Sequence, residues 1–206
     1  GLTLIFGIMK VVNFTHGELY SFGAYMIFMF SAMLGLNFFL AIILSMVLGV
    51  LLGGIIEFAL LRPLRGANID TTMLVMIGAW IVMQNLEQLS WGGVAKSINH
   101  PFPLDPLVIG EVSVSWIRVF VFFFAVILII GSYYLINNTK LGKSMRATFQ
   151  DRDIAALMGV NINRVYTATF ALGSGLAATA GALLGPVFVV TPTMGDMAAL
   201  KAFAIV

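Results

Sequence analysis

Apolar runs of about 20 residues recur along this chain, the length a helix needs to cross the hydrocarbon core of a bilayer. They leave little material for a water-soluble fold. Of the 206 residues, 60% are hydrophobic and only 10% are charged, against about 25% charged in a soluble domain. The residue-by-residue alternation of a membrane β-barrel is absent. The pattern predicts an all-α polytopic transmembrane helical bundle, one domain over 1–206.

The run from Gly1 to Val12 reads as the tail of one span, and Ala198 onward as the start of a seventh. The chain is therefore expected to be a piece of a longer protein, cut within a helix at both ends. Between those runs, spans are expected over 19–34, 36–61, 71–89, 114–136 and 165–184. Arg62-Pro-Leu-Arg-Gly66 closes the third, with a proline that cannot continue a helix.

The loops set the orientation. Arg62 and Arg65 lie in one loop; Lys140, Lys143, Arg146, Arg152 and Arg164 lie in another. The loop over 91–113, with Pro101, Pro103 and Pro106, holds only Lys96 beside Asp105 and Glu111. Positive-inside bias puts the first two loops in the cytoplasm and the proline-rich loop outside, flanked by Trp91 and Trp116. If Asn13–Glu18 is a turn between spans, Lys10 fits a cytoplasmic position as well. A net charge of +2, gathered into these loops, gives no nucleic-acid surface. With no cysteine there is no disulfide, thiolate metal site or Cys nucleophile, and His16 and His100 are too isolated to suggest a metal.

Gly173, Ala177, Gly181 and Gly185 form a stripe of small residues at intervals of four, and Gly49 and Gly53 repeat it on the third span. Such stripes let helix backbones approach closely in lipid. Packing within the chain is the expected use. Glu57, one turn after Gly53, is expected to pair with Arg62, while Gln84, Asn85 and Glu87 are expected at the outer interface.

The polar stretch 137–164 predicts two short helices. Thr139 to Phe149 is expected along the membrane surface, with Lys140, Lys143 and Arg146 on its wet side. Gln150 or Asp151 is placed to cap the second, and Asp151 and Asp153 lie where negative charge suits the helix dipole. Ile154, Leu157 and Met158 fall at i, i+3 and i+4, an apolar face. Gly159 is placed for a C-terminal cap, and Asn163 for capping the next span. The face suits either anchoring at the lipid surface or insertion into a partner's groove.

Near the start, Asn13, His16 and Glu18 interrupt an apolar run beside Gly17. Two readings stand: a broken helix whose polar groups line a translocation pathway, or a short cytoplasmic turn between two spans.

Arg146 to Gly159 is similar to the coupling motif of ATP-binding-cassette importer permeases, written Glu-Ala-Ala, three residues, then Gly. Aligned on Gly159, the glutamate position holds Asp153 and the alanines fall on Ile154 and Ala155. Gly1-Leu-Thr-Leu-Ile-Phe-Gly-Ile-Met-Lys-Val-Val-Asn-Phe-Thr-His-Gly-Glu18 resembles the opening of branched-chain amino-acid permeases of the LivH type. So do Leu61-Arg-Pro-Leu-Arg65, Met145-Arg-Ala-Thr-Phe-Gln-Asp-Arg-Asp153, Met158-Gly-Val-Asn161 and Gly195-Asp-Met-Ala-Ala-Leu-Lys-Ala-Phe203.

The resemblance implies a transport subunit, not an enzyme, in a bacterial inner membrane. It implies two ATP-binding-cassette subunits, a second permease subunit and a periplasmic substrate-binding protein as partners, with ATP and Mg²⁺ on the ATPases. It carries Asp153, Ala155 and Gly159 over as coupling positions; Arg146 and Asp151 join them on charge and position. The chain has no phosphate-cradling Gly-x-x-x-x-Gly-Lys-Ser/Thr loop of its own. The same machine carrying urea or short amides shares these motifs. A stand-alone secondary transporter or channel would need coupling-ion carboxylates at mid-membrane and internal repeats; few buried carboxylates and no clear repeat are expected here.

Overall fold

Asn37 marks where the longest apolar run begins: its side chain accepts from the Phe39 amide at 3.0 Å, occupying one of the donors a helix start leaves free. From there Phe38–Ile56 (α3) continues as a π-helical turn over Glu57–Leu61 and stops at the Arg62-Pro63 step. The computed structural model describes residues 1–9, 11, 13–103, 105–109 and 112–205. Lys10 and Glu111, used in the orientation argument, lie outside them.

The other helices are α1 (Leu2–Met9), α2 (His16–Ile27), α4 (Ile69–Trp91), α5 (Trp116–Asn138), α6 (Lys140–Gln150), α7 (Arg152–Leu157), α8 (Ile162–Leu184) and α9 (Met194–Ile205). A second π-helical turn extends α2 through Phe28–Met33. Among the described residues, four helical stretches are long and apolar enough to cross a membrane: Phe38–Leu61, Ile69–Trp91, Trp116–Asn138 and Ile162–Leu184. The protein is a multi-pass membrane protein of the all-α class. One departure is small: β1 (Leu107–Ile109) pairs antiparallel with β2 (Val112–Val114) in the stretch expected to be loop. The α9 helix starts at Met194, earlier than the Ala198 expected for the seventh span.

The bundle is built around α8, whose small residues are buried on two sides. Gly173 faces α1, where an added Cβ would stand 2.8 Å from Ile5 Cδ1. At Gly181 it would overlap the Tyr20 carbonyl of α2, and at Gly23 of α2 the Ala178 carbonyl of α8. Gly49 and Gly53 of α3 back onto Ala178 and Ser174. The stripes thus serve packing within the chain, although Gly185 lies past the end of α8 as its cap. The core has two parts: toward the α6–α7 end it gathers Ile5, Leu19, Met76, Met145 and Phe170, and toward the opposite end Tyr25, Ile27, Phe38, Ile42 and Val190. By contrast, α5 buries only Ile117 and presents Phe122, Phe123, Ile127 and Ile130 outward, a surface suited to lipid.

Candidate functional site: a capped surface helix and a helix break at mid-depth

The surface helix forms a knob, assembled by local sequence. Thr139 accepts from the Gly142 amide at 3.0 Å and starts α6, whose Lys140, Lys143 and Arg146 are exposed as expected. Arg146 donates to the Ile136 carbonyl, so it braces the end of α5. Asp151 then turns the chain. Its Oδ1 accepts from the Asp153 and Ile154 amides, both at 2.9 Å, and opens α7.

Gly159 closes α7 with φ +84°, a left-handed conformation that a Cβ would strain. Its amide donates to Ala156 O and that of Val160 to Ala155 O, both at 3.0 Å, the paired bonds of a Schellman cap. The next cap is Asn161, not Asn163: the Asn161 side chain accepts from the Arg164 amide at 3.1 Å. The Schellman turn ends at Val160, which leaves Asn161 at the helix start and puts Asn163 inside it.

Between these caps only Ala155 is buried in α7. Asp153 is exposed, and so is the apolar face: Ile154 by 59%, Leu157 by 86% and Met158 by 81%. Ile154 and Leu157 on a six-residue helix, with Met158 at its C-cap, form a bared apolar face suited to a groove. Asp151→Ala is expected to cost this helix about 1 kcal/mol, seen as faster amide exchange over 152–157 with α8 unchanged.

Beneath the knob, Glu57 is fully buried and pairs with Arg65, not with Arg62. Arg62 instead lies over the Phe58 ring, 5.2 Å from its centroid. Arg65, three residues beyond Arg62 in the turn that follows, is the one that reaches back to Glu57. Arg65 also donates to Asn163 Oδ1 and sits 5.0 Å from the Tyr166 ring centroid; Arg152 of α7 approaches the same ring at 5.8 Å. Thr167 Oγ1 donates to the second Glu57 oxygen at 2.5 Å. A cavity of about 530 Å³ opens beside this cluster, lined by Arg65, Thr148, Asp151, Arg152 and Tyr166.

The second region is the break between α1 and α2. The Asn13 carboxamide oxygen accepts from the Thr15 amide at 3.1 Å and from the Thr15 hydroxyl, a tight turn with both residues fully buried. His16, Gly17 and Glu18 then form the first turn of α2 instead of extending the interruption. The depth of that turn follows from its neighbours. Gly1 lies between the His16 ring and the Gly173 carbonyl, and Gly173 is the central residue of the 23-residue α8. Trp80, the central residue of the 23-residue α4, donates Nε1–H to Glu18 Oε1 at 3.0 Å. The α2 helix therefore starts level with the middle of two membrane-length helices, and Gly17 packs on Gly195 of α9.

Polar groups climb outward from there. Gln84 Nε2 lies 3.4 Å from both Asp196 carboxylate oxygens, and Ser21 donates to Glu87 Oε2 at 2.6 Å. Glu87 is thus buried and Gln84 half-buried, both bonded to other helices; of the three expected at the interface only Asn85 is exposed, bonded to its own helix at Ile81 O. Glu18, Glu57 and Glu87 make three buried carboxylates where few were expected. Asn13 Nδ2, His16 Nδ1, Glu18 Oε2 and Glu87 Oε1 are buried without a hydrogen-bond partner among the described residues. Trp80, Ser21 and Asp196 were missed by sequence reasoning. The signal for Asp196 was there, a lone carboxylate inside an apolar run. No group of three or more metal-ligating side chains occurs among the described residues.

Comparison with known proteins places this geometry. Residues 1–206 match the family described as branched-chain amino acid transport system / permease component. The chain is 33% identical over 217 residues to the high-affinity branched-chain amino acid transport system permease protein BraD of Pseudomonas aeruginosa, covering 98% of this chain and 70% of BraD. It is 30% identical over 217 residues to the LivH permease protein of Escherichia coli K12, with the same coverage, 98% and 70%. A shorter match, 33% over 82 residues, joins 39% of this chain to 23% of the fructose import permease protein FrcC of Rhizobium meliloti. No solved structure matches the chain. With the family matched along the whole chain, this protein belongs to the permease components of the branched-chain amino acid transport system family.

Proposed function

We propose that this chain is the permease subunit of an ATP-binding-cassette importer that moves branched-chain amino acids across the bacterial inner membrane. Its partners are two ATP-binding-cassette subunits carrying ATP and Mg²⁺, a second permease subunit and a periplasmic substrate-binding protein, with lipid around the helices. The observation that carries the reading is the bared apolar face of Ile154, Leu157 and Met158 on a helix capped at both ends. Asp151 and Gly159 hold that helix in shape, Asp153 and Ala155 set its exposed and anchored sides, and Arg146 ties its platform to α5. The relatives named for branched-chain amino acids support the cargo.

The break at Asn13, His16, Gly17 and Glu18 forms the polar step of the pathway. Unpaired polar atoms at mid-depth support this, because hydrocarbon-depth groups left without partners are costly. His16→Ala and Glu18→Ala are expected to lower uptake at unchanged protein level; unchanged uptake would remove these residues from the pathway.

The reading is tested by uptake of labelled leucine and labelled urea into vesicles holding the full-length permease, its ATPases and its binding protein, with and without internal ATP. ATP-dependent leucine uptake, abolished by Gly159→Trp, is expected. Urea uptake instead would keep the machine and change the cargo. Uptake indifferent to ATP would point to a stand-alone transporter.

A further inference from the structure

We propose that Tyr166 is the positioning residue through which movement of α7 reaches the membrane helices. The inference rests on the reading of α7 as the docking knob. One ring serves two guanidinium groups from different parts of the chain: Arg152, the first residue of α7, and Arg65, from the loop between α3 and α4. A cation over a ring face is held within about 6 Å of the centroid without the strict alignment of a hydrogen bond. Such a contact can shift and still pull.

From Arg65 the connection runs into the bundle. Arg65 pairs with Glu57, the first residue of the π-helical turn that continues α3, and Glu57 also accepts from Thr167 of α8. The Glu57 carboxylate has no access to water, so separating it from Arg65 would leave a buried charge without its partner. The pair therefore moves as a unit, and a pull on the ring is delivered to α3 and α8 together. Tyr166, Arg65 and Arg152 also line the cavity of about 530 Å³. The cavity beside the link leaves α7 room to move, while the Tyr166 ring itself stays buried in the core.

A latch that only steadied the fold would have the same contacts, so the readout must be transport per ATP. The full-length permease is assembled with its ATPases and binding protein in proteoliposomes, and labelled leucine taken up per ATP hydrolysed is measured. Tyr166→Leu and Arg152→Gln are each expected to lower that ratio about tenfold, at unchanged yield of the assembled complex. Tyr166→Phe, which keeps the ring face, retains it. The double variant is no worse than Tyr166→Leu alone, because losing the ring already removes the contact that Arg152→Gln breaks. A lowered thermal midpoint with an unchanged ratio in both variants would overturn the proposal. Should Tyr166→Leu fail to accumulate, Arg152→Gln decides, since Arg152 is exposed and outside the core. Wild-type uptake that ignores ATP would overturn the docking reading and this inference together. A coupled wild type with unchanged variant ratios would overturn this inference alone.

Discussion

Gly181→Val is expected to leave little folded protein in the membrane. At this position α8 lies directly on the Tyr20 carbonyl of α2, and a Cβ would overlap that oxygen. The obstacle is backbone, so no rotamer change can make room. Forcing extra methyl groups into a packed site costs about 1–3 kcal/mol when side chains can yield; here two helices must separate, and the cost exceeds that range. Separation would also unseat Gly23 from Ala178, three residues along α2. The check is the amount of monodisperse protein recovered in detergent. Recovery equal to wild type would mean that the α2–α8 contact is looser than described. Gly78→Val is the matched control, because nothing lies within 4 Å of a Cβ at Gly78 of α4.

Leu157→Glu combined with Met158→Glu is expected to abolish ATP-driven uptake while leaving the permease folded. Both side chains are more than 80% exposed, so their loss removes almost no packing within the chain. Two carboxylates on the same face would instead be buried unpaired against a partner. Losing central apolar anchors of an interface typically costs 2 kcal/mol or more, roughly thirtyfold in affinity. The ATPases should no longer co-purify with the permease, and leucine uptake should fall to the level without ATP. Normal co-purification would place the docking surface elsewhere.

The long helices and the knob were legible because their signals are local. An apolar run ending at Arg62-Pro63 delimits α3, and Asp151, the apolar spacing and Gly159 delimit α7 within a dozen residues. What stayed hidden depends on distant partners. Glu87 near the end of an apolar run looks interfacial, and only Ser21, 66 residues away, makes it a buried group. The choice of Arg65 over Arg62 as the partner of Glu57 turns on how the chain leaves Pro63. The start of α2 was the hardest to read. Nothing in Asn13-Phe-Thr-His-Gly-Glu18 reveals its depth, which comes from Trp80 and Gly173 beside it. The small-residue face of α8 toward α3 was half visible: Gly49 and Gly53 announce a close approach, but Ser174 and Ala178 opposite them look ordinary.

The glycine contacts of α8 also limit how many parts this machine can have. Side chains between helices act as bearings, because their rotamers absorb small slips. Between α8 and α2 the bearings have been removed and backbone meets backbone, while α3 rests on α8 through little more than the short Ala178 and Ser174 side chains. Packed backbones switch between discrete arrangements instead of deforming gradually. The three helices are thereby reduced to a single strut. Whatever alternates during a transport cycle must hang from that strut, through the α7 link at one end and the weakly packed α4 along its side.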